Sequence, residues 1–206
     1  MIERLILVRH GETTHNSKGI TQGWSDSGLS EKGVAQVRGV ARRLVSMEPT
    51  AVFCSTLPRA IATAESIAEE LGLEVRQIAD LREMNCGRWE GVPFLDVRRN
   101  EAEFYQRWAS DPMLPCPDGE SYFDVQQRMK SAFEKIENTG EARPVIVSHG
   151  TAIRIAAATL LSLPLEAARS FAQDNAAINI FEWRANRYVM NRWNDTAHWA
   201  TEGLNG

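Results

Sequence analysis

Short aliphatic runs alternate along this chain with longer stretches in which apolar residues recur every three or four positions. The short runs predict buried strands, and the periodic stretches predict helices with one apolar face. Residues 5–8 and 144–147 are strands of this kind, and residues 30–47 form a helix with Ser30 as its N-cap. This alternation favours an α/β fold, a three-layer α/β/α sandwich around a mostly parallel sheet.

The other predicted elements continue the alternation. We expect further helices from residue 59 to Gly72, over 122–138 and over 151–161, and strands that end near residue 53 or span 74–78, 177–181 and 188–190. Ser55 or Thr56 is expected to cap the helix that carries Pro58 in its first turn. The predicted apolar face of the helix over 30–47 consists of Val34, Val37, Ala41 and Leu44. Because no repeat or low-complexity linker interrupts the pattern, residues 1–206 are expected to form a single domain.

Two of the predicted strands run into the same kind of motif. The motifs are Arg9-His10-Gly11 and Ser148-His149-Gly150. In open α/β sheets ligands bind at the carboxyl ends of the strands, so both histidines are expected at a binding edge. A lone histidine there is more often structural, but two that follow the same pattern argue for chemistry. A histidine beside an arginine can act as a nucleophile whose anionic target the arginine holds.

Arg59 lies in the first turn of a predicted helix, directly after Pro58. A cation at a helix N-terminus works against the helix dipole, so stability alone does not account for it. An anion shared between the guanidinium and the free N–H groups of the first turn would account for it. The alternative is a structural arginine that reaches back to a surface carboxylate.

Composition is typical of a compact soluble enzyme. The chain has 206 residues, of which 43% are hydrophobic and 24% charged, with a net charge of −4 and a pI near 5.7. This balance argues against nucleic acid or an anionic membrane as a partner, so an anion site needs a local concentration of arginine and histidine. Cys54, Cys86 and Cys116 lack metal-ligand spacing and suggest reduced thiols in a cytoplasmic protein. No signal peptide and no run of about 18 apolar residues occurs, so neither secretion nor a membrane span is expected.

Residues 81–91 contain several charged side chains and a tryptophan together with two turn-forming glycines. Together with the segments around His10, Arg59 and His149, and in this order, they resemble the histidine phosphatase superfamily, whose members are similar to cofactor-dependent phosphoglycerate mutase. The resemblance extends from Leu5 to about Trp199. It implies a phosphoglycerate mutase-like fold, in which the aromatic and proline-rich residues 93–120 form a cap over the active site.

The resemblance also implies roles for single residues. His10 would be the nucleophile that becomes phosphohistidine, and Glu83 would donate a proton to the leaving group. Arg9, Arg59 and His149 would surround the phosphoryl oxygens. The other residues implied in substrate or phosphate binding are Asn16, which fits simple turn chemistry nearly as well, Gln22, Gly23 and Gly150.

These roles agree with elementary phosphate chemistry. A neutral imidazole suits attack on a phosphate monoester, because the phosphoryl charge repels an anionic nucleophile. Phosphoryl transfer asks mainly for in-line positioning and charge stabilisation, which two arginines and a second histidine supply, so no metal or cofactor is expected. A poor alkoxide leaving group needs a proton, and Glu83 can give one only if its surroundings keep it protonated. The predicted activity is hydrolysis of small-molecule phosphate monoesters.

Two alternatives stay open beside hydrolysis. Mutases of the superfamily typically follow the acid with Arg-His-Tyr-Gly and keep extra loop and C-terminal segments, whereas this chain has Met84-Asn85-Cys86-Gly87 and ends at residue 206. That departure favours hydrolysis over phosphoglycerate mutase-type transfer. The other alternative is an inert module that binds a phospholigand. It is disfavoured by the presence of all five residues implied in catalysis, which are Arg9, His10, Arg59, Glu83 and His149. The native substrate and the oligomeric state stay open.

Overall fold

The structure, a computed structural model, describes residues 2–204 and is built on a six-stranded sheet. The strands in chain order are β1 (Arg4–Arg9), β2 (Ala51–Cys54), β3 (Val75–Gln77), β4 (Pro144–Ser148), β5 (Ile178–Arg184) and β6 (Arg187–Asp195). Across the sheet they lie in the order β3-β2-β4-β1-β5-β6. The first four run parallel, whereas β5 is antiparallel to β1 and β6 is antiparallel to β5. The expectation of a mostly parallel sheet is confirmed.

Helices cover both faces of this sheet. They are α1 (Thr14–Ser17), α2 (Glu31–Val45), α3 (Pro58–Leu71), α4 (Phe94–Asn100), α5 (Ala102–Ser110), α6 (Tyr122–Glu137) and α7 (Gly150–Leu160). Leu44 of α2 and Ile67 of α3 pack with Val8 in one core. Met129 of α6 packs with Leu7 in the other. Because successive residues of β1 point to opposite cores, the sheet separates them and the three-layer sandwich is confirmed.

Capping signals set the ends of the long helices. The Ser30 hydroxyl accepts a hydrogen bond from Gly33 N at 3.0 Å where α2 begins. Ser121 forms a capping box with Asp124 at the start of α6. Gly72 ends α3 with φ of 65°, a left-handed conformation that favours glycine. These three boundaries agree with the sequence prediction.

Two local predictions are wrong. Neither Ser55 nor Thr56 caps α3, which begins without a side-chain cap, because Ser55 is fully buried and bonds to another side chain. Val34 is 40% exposed and does not belong to the apolar face of α2. Gly33 and Gln36 take the buried positions in the first turns of that helix.

The register of two central strands brings the histidine motifs together. β1 pairs in parallel with β4, and Arg9 lies opposite Ser148. Each histidine is the next residue, and His10 N donates to Ser148 O at 3.0 Å. The carboxyl ends of both strands therefore hold His10 and His149 at one edge of the sheet, as the sequence predicts.

Residues 93–120 contain α4 and α5 and pack through aromatic side chains. Trp108 on α5 makes an edge contact with Trp89, with ring centroids 5.2 Å apart, and another with Tyr122 at 5.8 Å. Such edge-to-face pairs fix the orientation of the rings as well as their burial. Within residues 2–204, no helix combines the length and the apolar character that crossing a membrane requires.

Candidate active site

His10 is buried at the carboxyl end of β1, with 3% of its surface exposed. Its Nδ1 lies 2.8 Å from Gly11 O, and because a carbonyl only accepts, Nδ1 carries the proton. Nε2 is then left with its lone pair, to which Arg59 Nε donates at 3.3 Å. Burial and the nearby Arg59 and Arg9 charges lower the pKa of His10 well below 6.5. At neutral pH the ring is therefore uncharged, with a basic Nε2.

His149 lies beside His10, with ring centroids 5.1 Å apart. Its Nε2 is 2.7 Å from Ser55 Oγ, which also accepts a hydrogen bond from Leu57 N at 3.2 Å. The hydroxyl proton of Ser55 has no other acceptor among the described residues, so it goes to His149 Nε2. The imidazole proton is then on Nδ1, which makes no hydrogen bond within the described part of the protein. Burial, followed by the Arg59 charge, lowers the pKa of His149 well below 6.5.

Arg59 is the second residue of α3, and its side chain is almost fully buried. The guanidinium donates to Gly23 O at 2.7 Å and Ser25 O at 2.9 Å, and forms an ion pair with Asp26 Oδ1 at 2.6 Å. The alternative interpretation is thus observed, since Arg59 reaches the Asp26 carboxylate, and its Nε also donates to the candidate nucleophile. These contacts fix the cation at the helix N-terminus despite the unfavourable dipole. Anion binding at this helix N-terminus stays a prediction.

Glu90 ties the loop around Gly23 to the segment after Glu83. Its carboxylate accepts hydrogen bonds from Trp24 N at 2.7 Å, Ser25 N at 2.8 Å and Cys86 N at 3.1 Å. Gly23 has φ of 54°, and a Cβ there would lie 2.1 Å from Glu90 Oε1. Glycine is thus required for both its conformation and the space that Glu90 fills.

Asn16 and Gln22 serve the local structure of the first loop. Asn16 Oδ1 accepts from Thr13 N at 3.2 Å in the capping box of α1, and from Asn175 Nδ2 at 3.0 Å. Gln22 Oε1 accepts from Thr13 Oγ1 at 2.8 Å. The turn chemistry expected for Asn16 is present, and both side chains also border the cavity beside His10.

Arg9 is the last residue of β1, and its guanidinium donates to Gln173 O. Burial lowers the pKa of Arg9 to about 10, so the side chain stays charged at neutral pH. Gly150 packs against this group, since a Cβ at that position would lie 3.4 Å from Arg9 Nε. Arg9 and Arg59 thus flank His10 with two fixed positive charges.

Glu83 lies at the N-terminus of α7. Its carboxylate accepts hydrogen bonds from Met84 N at 2.8 Å, Thr151 N at 3.0 Å and Ala152 N at 3.1 Å. Two of these N–H groups are free donors of the first helical turn, which places the carboxylate at the positive end of the helix dipole. The contacts fix the position of the acid beside the cavity.

A cavity of about 550 Å³ joins these groups. The sequence-predicted residues that line it are Arg9, His10, Asn16, Gln22, Gly23, Arg59 and Glu83. His149 and Gly150 lie behind this lining. Phe94, Tyr105 and Trp108 of the predicted cap also line the cavity, together with Trp89. In size and in its mix of aromatic and charged walls, the cavity suits a small organic anion.

Sequence reasoning missed several residues of the site, which are Asp26, Ser55, Glu90, Tyr122, Arg154 and Arg169. Arg154 follows the second His-Gly motif by one helical turn, a spacing that could have identified it. Arg169 belongs to a 3₁₀ turn over Leu165–Ser170, for which no periodic signal exists. Among the described residues, no group of three or more His, Cys, Asp or Glu side chains could hold a metal ion.

Known proteins resemble this chain over nearly its whole length. Residues 5–196 match the family described as "Histidine phosphatase superfamily (branch 1)". A protein of Erwinia tasmaniensis named as a probable phosphoglycerate mutase is 36% identical over 203 residues, which cover 95% of this chain and 94% of the relative.

Two solved structures show the same fold. A mycobacterial glucosyl-3-phosphoglycerate phosphatase, solved with VO3, is 31% identical with a TM-score of 0.85, over 93% of this chain and 98% of that chain. A mutant phosphoserine phosphatase from Entamoeba histolytica, solved with phosphoserine, is 30% identical with a TM-score of 0.83, over 95% and 98% of the respective chains. Proteins named as phosphatases and a protein named as a probable mutase thus both occur among the relatives.

Proposed function

This chain belongs to branch 1 of the histidine phosphatase superfamily, and from that premise we propose that it hydrolyses phosphate monoesters of small molecules through a phosphohistidine on His10. The observation that carries the proposal is the state of His10. Its Nδ1 proton is bound by Gly11 O, which leaves Nε2 as a neutral nucleophile between two arginines. An uncharged nucleophile in a cationic site can approach a phosphoryl dianion without repulsion.

In the first step the phosphoryl group passes to His10. Nε2 attacks phosphorus as the P–O bond to the leaving alcohol breaks, and Glu83 gives that oxygen its proton. Arg9, Arg59 and the Nδ1 proton of His149 stabilise the charge on the phosphoryl oxygens.

In the second step water frees the enzyme. The carboxylate of Glu83 accepts a proton from water, whose oxygen bonds to phosphorus as the Nε2–P bond breaks. The electron pair returns to Nε2, inorganic phosphate leaves, and Glu83 is protonated for the next turnover. One acid–base group thus serves both halves of the reaction.

Mutase-type transfer is the second candidate. The Erwinia relative, at 36% identity, is named as a probable mutase. Hydrolysis is preferred because Met84 and Asn85 follow Glu83 where mutases of the superfamily typically carry an Arg-His pair. Both side chains are uncharged, so they offer no cation to retain a phosphorylated intermediate.

We also propose that residues 1–206 form one domain with 93–120 as its cap. The aromatic side chains that α4 and α5 contribute to the cavity support this. Cys54, Cys86 and Cys116 are free thiols, which supports the cytoplasm as the compartment.

The proposal is tested by analysing products. The protein is incubated with nitrophenyl phosphate and with 2-phosphoglycerate, each with and without 2,3-bisphosphoglycerate as primer. We expect one inorganic phosphate per substrate consumed, no isomerised phosphoglycerate, and inhibition by vanadate. Formation of 3-phosphoglycerate that depends on the primer would establish the mutase instead, and binding without turnover would establish an inert module.

A further inference from the structure

Two cavity-lining arginines take no part in the proposed phosphoryl transfer. Arg154 and Arg169 both line the cavity, and neither forms an ion pair with a residue in the described part of the chain. A guanidinium in a partly apolar cavity without a carboxylate partner is costly for folding alone. Such a group points to an anion that arrives from solution.

Arg169 is held by two aromatic rings. Its guanidinium carbon lies 4.4 Å from the Trp108 centroid and 4.1 Å from the Tyr122 centroid, and Nη2 donates to Trp108 O at 2.7 Å. Stacking fixes the plane of the group and leaves hydrogen-bond donors only at its edge. A planar edge of this kind fits the two oxygens of a carboxylate.

Arg154 lies close to the proposed proton donor, Glu83. Its Nε donates to Gly150 O at 3.2 Å and its Nη2 to Thr151 Oγ1 at 3.1 Å. Thr151 N donates in turn to the Glu83 carboxylate. Arg154 is therefore one residue removed from the proposed proton donor, so its charge acts on the alcohol that leaves.

Tyr122 contacts Arg169, and the charges of both Arg154 and Arg169 act on its hydroxyl. The ring stacks on Arg169 and lines the same cavity. Burial raises the pKa of Tyr122, so the phenol keeps its proton and remains a donor. Two cations and one hydroxyl donor thus surround the same part of the cavity.

A charge count supports a second anion. Four arginines line the cavity, which are Arg9, Arg59, Arg154 and Arg169. When Glu83 carries the proton that it donates, Asp26 and a phosphoryl dianion beside His10 together balance three of these four positive charges. One arginine charge is then left without a counter-charge, which one carboxylate of the substrate would supply.

We propose that Arg154, Arg169 and Tyr122 form a second anion subsite, which binds a carboxylate carried by the leaving group of the substrate. The inference rests on the proposed function and narrows it, since the preferred substrates become phosphate monoesters of hydroxy acids. A neutral leaving group would give the subsite no anionic partner in the bound state. The subsite would therefore select substrates by charge as well as by size.

The test uses two pairs of substrates that differ in one carboxylate. They are phosphoserine against phosphoethanolamine, and 3-phosphoglycerate against glycerol 3-phosphate. We expect kcat/KM to favour the acid of each pair by about tenfold or more, the scale of one hydrogen bond to a charged group. In Arg154→Gln and Arg169→Gln this preference should fall by about tenfold, and in Tyr122→Phe by less.

Arg107→Gln is the matched control. Arg107 is an exposed arginine of α5 outside the cavity, so its loss changes the net charge equally and should leave the preference intact. If Arg169→Gln does not fold, Arg154→Gln and Tyr122→Phe decide the question. Equal kcat/KM within each pair, or a preference that survives in Arg154→Gln, would overturn the subsite.

A binding measurement separates this inference from the proposed function. If nitrophenyl phosphate and all four substrates resist hydrolysis, the proposed function fails. Calorimetry with 3-phosphoglycerate and glycerol 3-phosphate on the same variants then still decides the subsite. Tighter binding of the acid that is lost in Arg154→Gln supports it, and equal binding of the two ligands refutes it.

Discussion

The tautomers of two histidines depend on single neighbouring atoms. Gly11 O fixes the proton of His10 on Nδ1, and Ser55 fixes the proton of His149 on Nδ1 as well. The sequence located both histidines because each follows a strand and precedes a glycine. The prediction that Ser55 caps α3 is wrong, because a serine shortly before Pro58 fits the N-cap preference whether or not it caps the helix. Only the packing of β2 against β4 shows that its hydroxyl meets His149.

Ser55→Ala should therefore lower kcat without removing the nucleophile. Without the hydroxyl donor, the His149 proton is no longer confined to Nδ1, and we expect a loss of about tenfold, the scale of one hydrogen bond. Nitrogen-15 NMR of the histidine rings checks the cause, since His149 Nε2 should be unprotonated in the wild type and partly protonated in the variant.

Ser148→Ala is the control for this change. It also removes a buried hydroxyl, which donates to Leu81 O at 2.8 Å, but it does not touch the His149 ring nitrogens. Its His149 spectrum should match that of the wild type. A wild-type spectrum with the proton on Nε2 would contradict the assignment.

At the scale of elements, periodicity and capping residues predicted most of the fold. The apolar runs identified the strands, and Ser30 and Gly72 identified helix ends, since each acts through local backbone chemistry. The exposed Val34 shows the limit of this reasoning, because a helix face is selected by what packs on it. Arg169 shows another limit, since stacking between two distant aromatic residues leaves no local signal.

The position of the two histidines depends on the register between two strands rather than on any single helix. A parallel pairing of β1 with β4 sets Arg9 opposite Ser148, so the two histidines that follow are adjacent. Strands β5 and β6 are both longer than the sequence predicted. Their additional residues include polar side chains and do not form a continuous apolar run, so the pattern that identified the other strands did not detect them. The candidate site could thus be predicted where it follows strand ends, and not where loops converge.

For the molecule as a whole, burial of neutral histidines couples stability to pH. The folded-state pKa values of His10 and His149 lie well below 6.5, and that of His198 is lowered to about 4. Below pH 6.5 the unfolded chain binds protons that the folded protein does not, so the free energy of unfolding falls as pH falls. The stabilisation is fully present above pH 6.5 and is lost as pH drops toward the folded-state pKa values.

Urea unfolding between pH 7.5 and 5 measures this coupling. Each buried histidine should contribute up to about 1.4 kcal/mol per pH unit below pH 6.5, before most carboxylates titrate. His10→Asn keeps an uncharged donor at this position and should give a shallower dependence. A free energy of unfolding that stays constant or rises as pH falls would contradict the burial of neutral imidazoles.

The most direct test of the central claim is to trap the phosphorylated enzyme. Rapid mixing with a labelled monoester, a denaturing quench and peptide mass spectrometry under basic conditions should find one phosphoryl group per chain, on His10 Nε2, stable to base and labile to acid. His10→Asn should fold, carry no label and lack turnover. Hydrolysis that persists in His10→Asn, or a label on any other residue, would contradict the account.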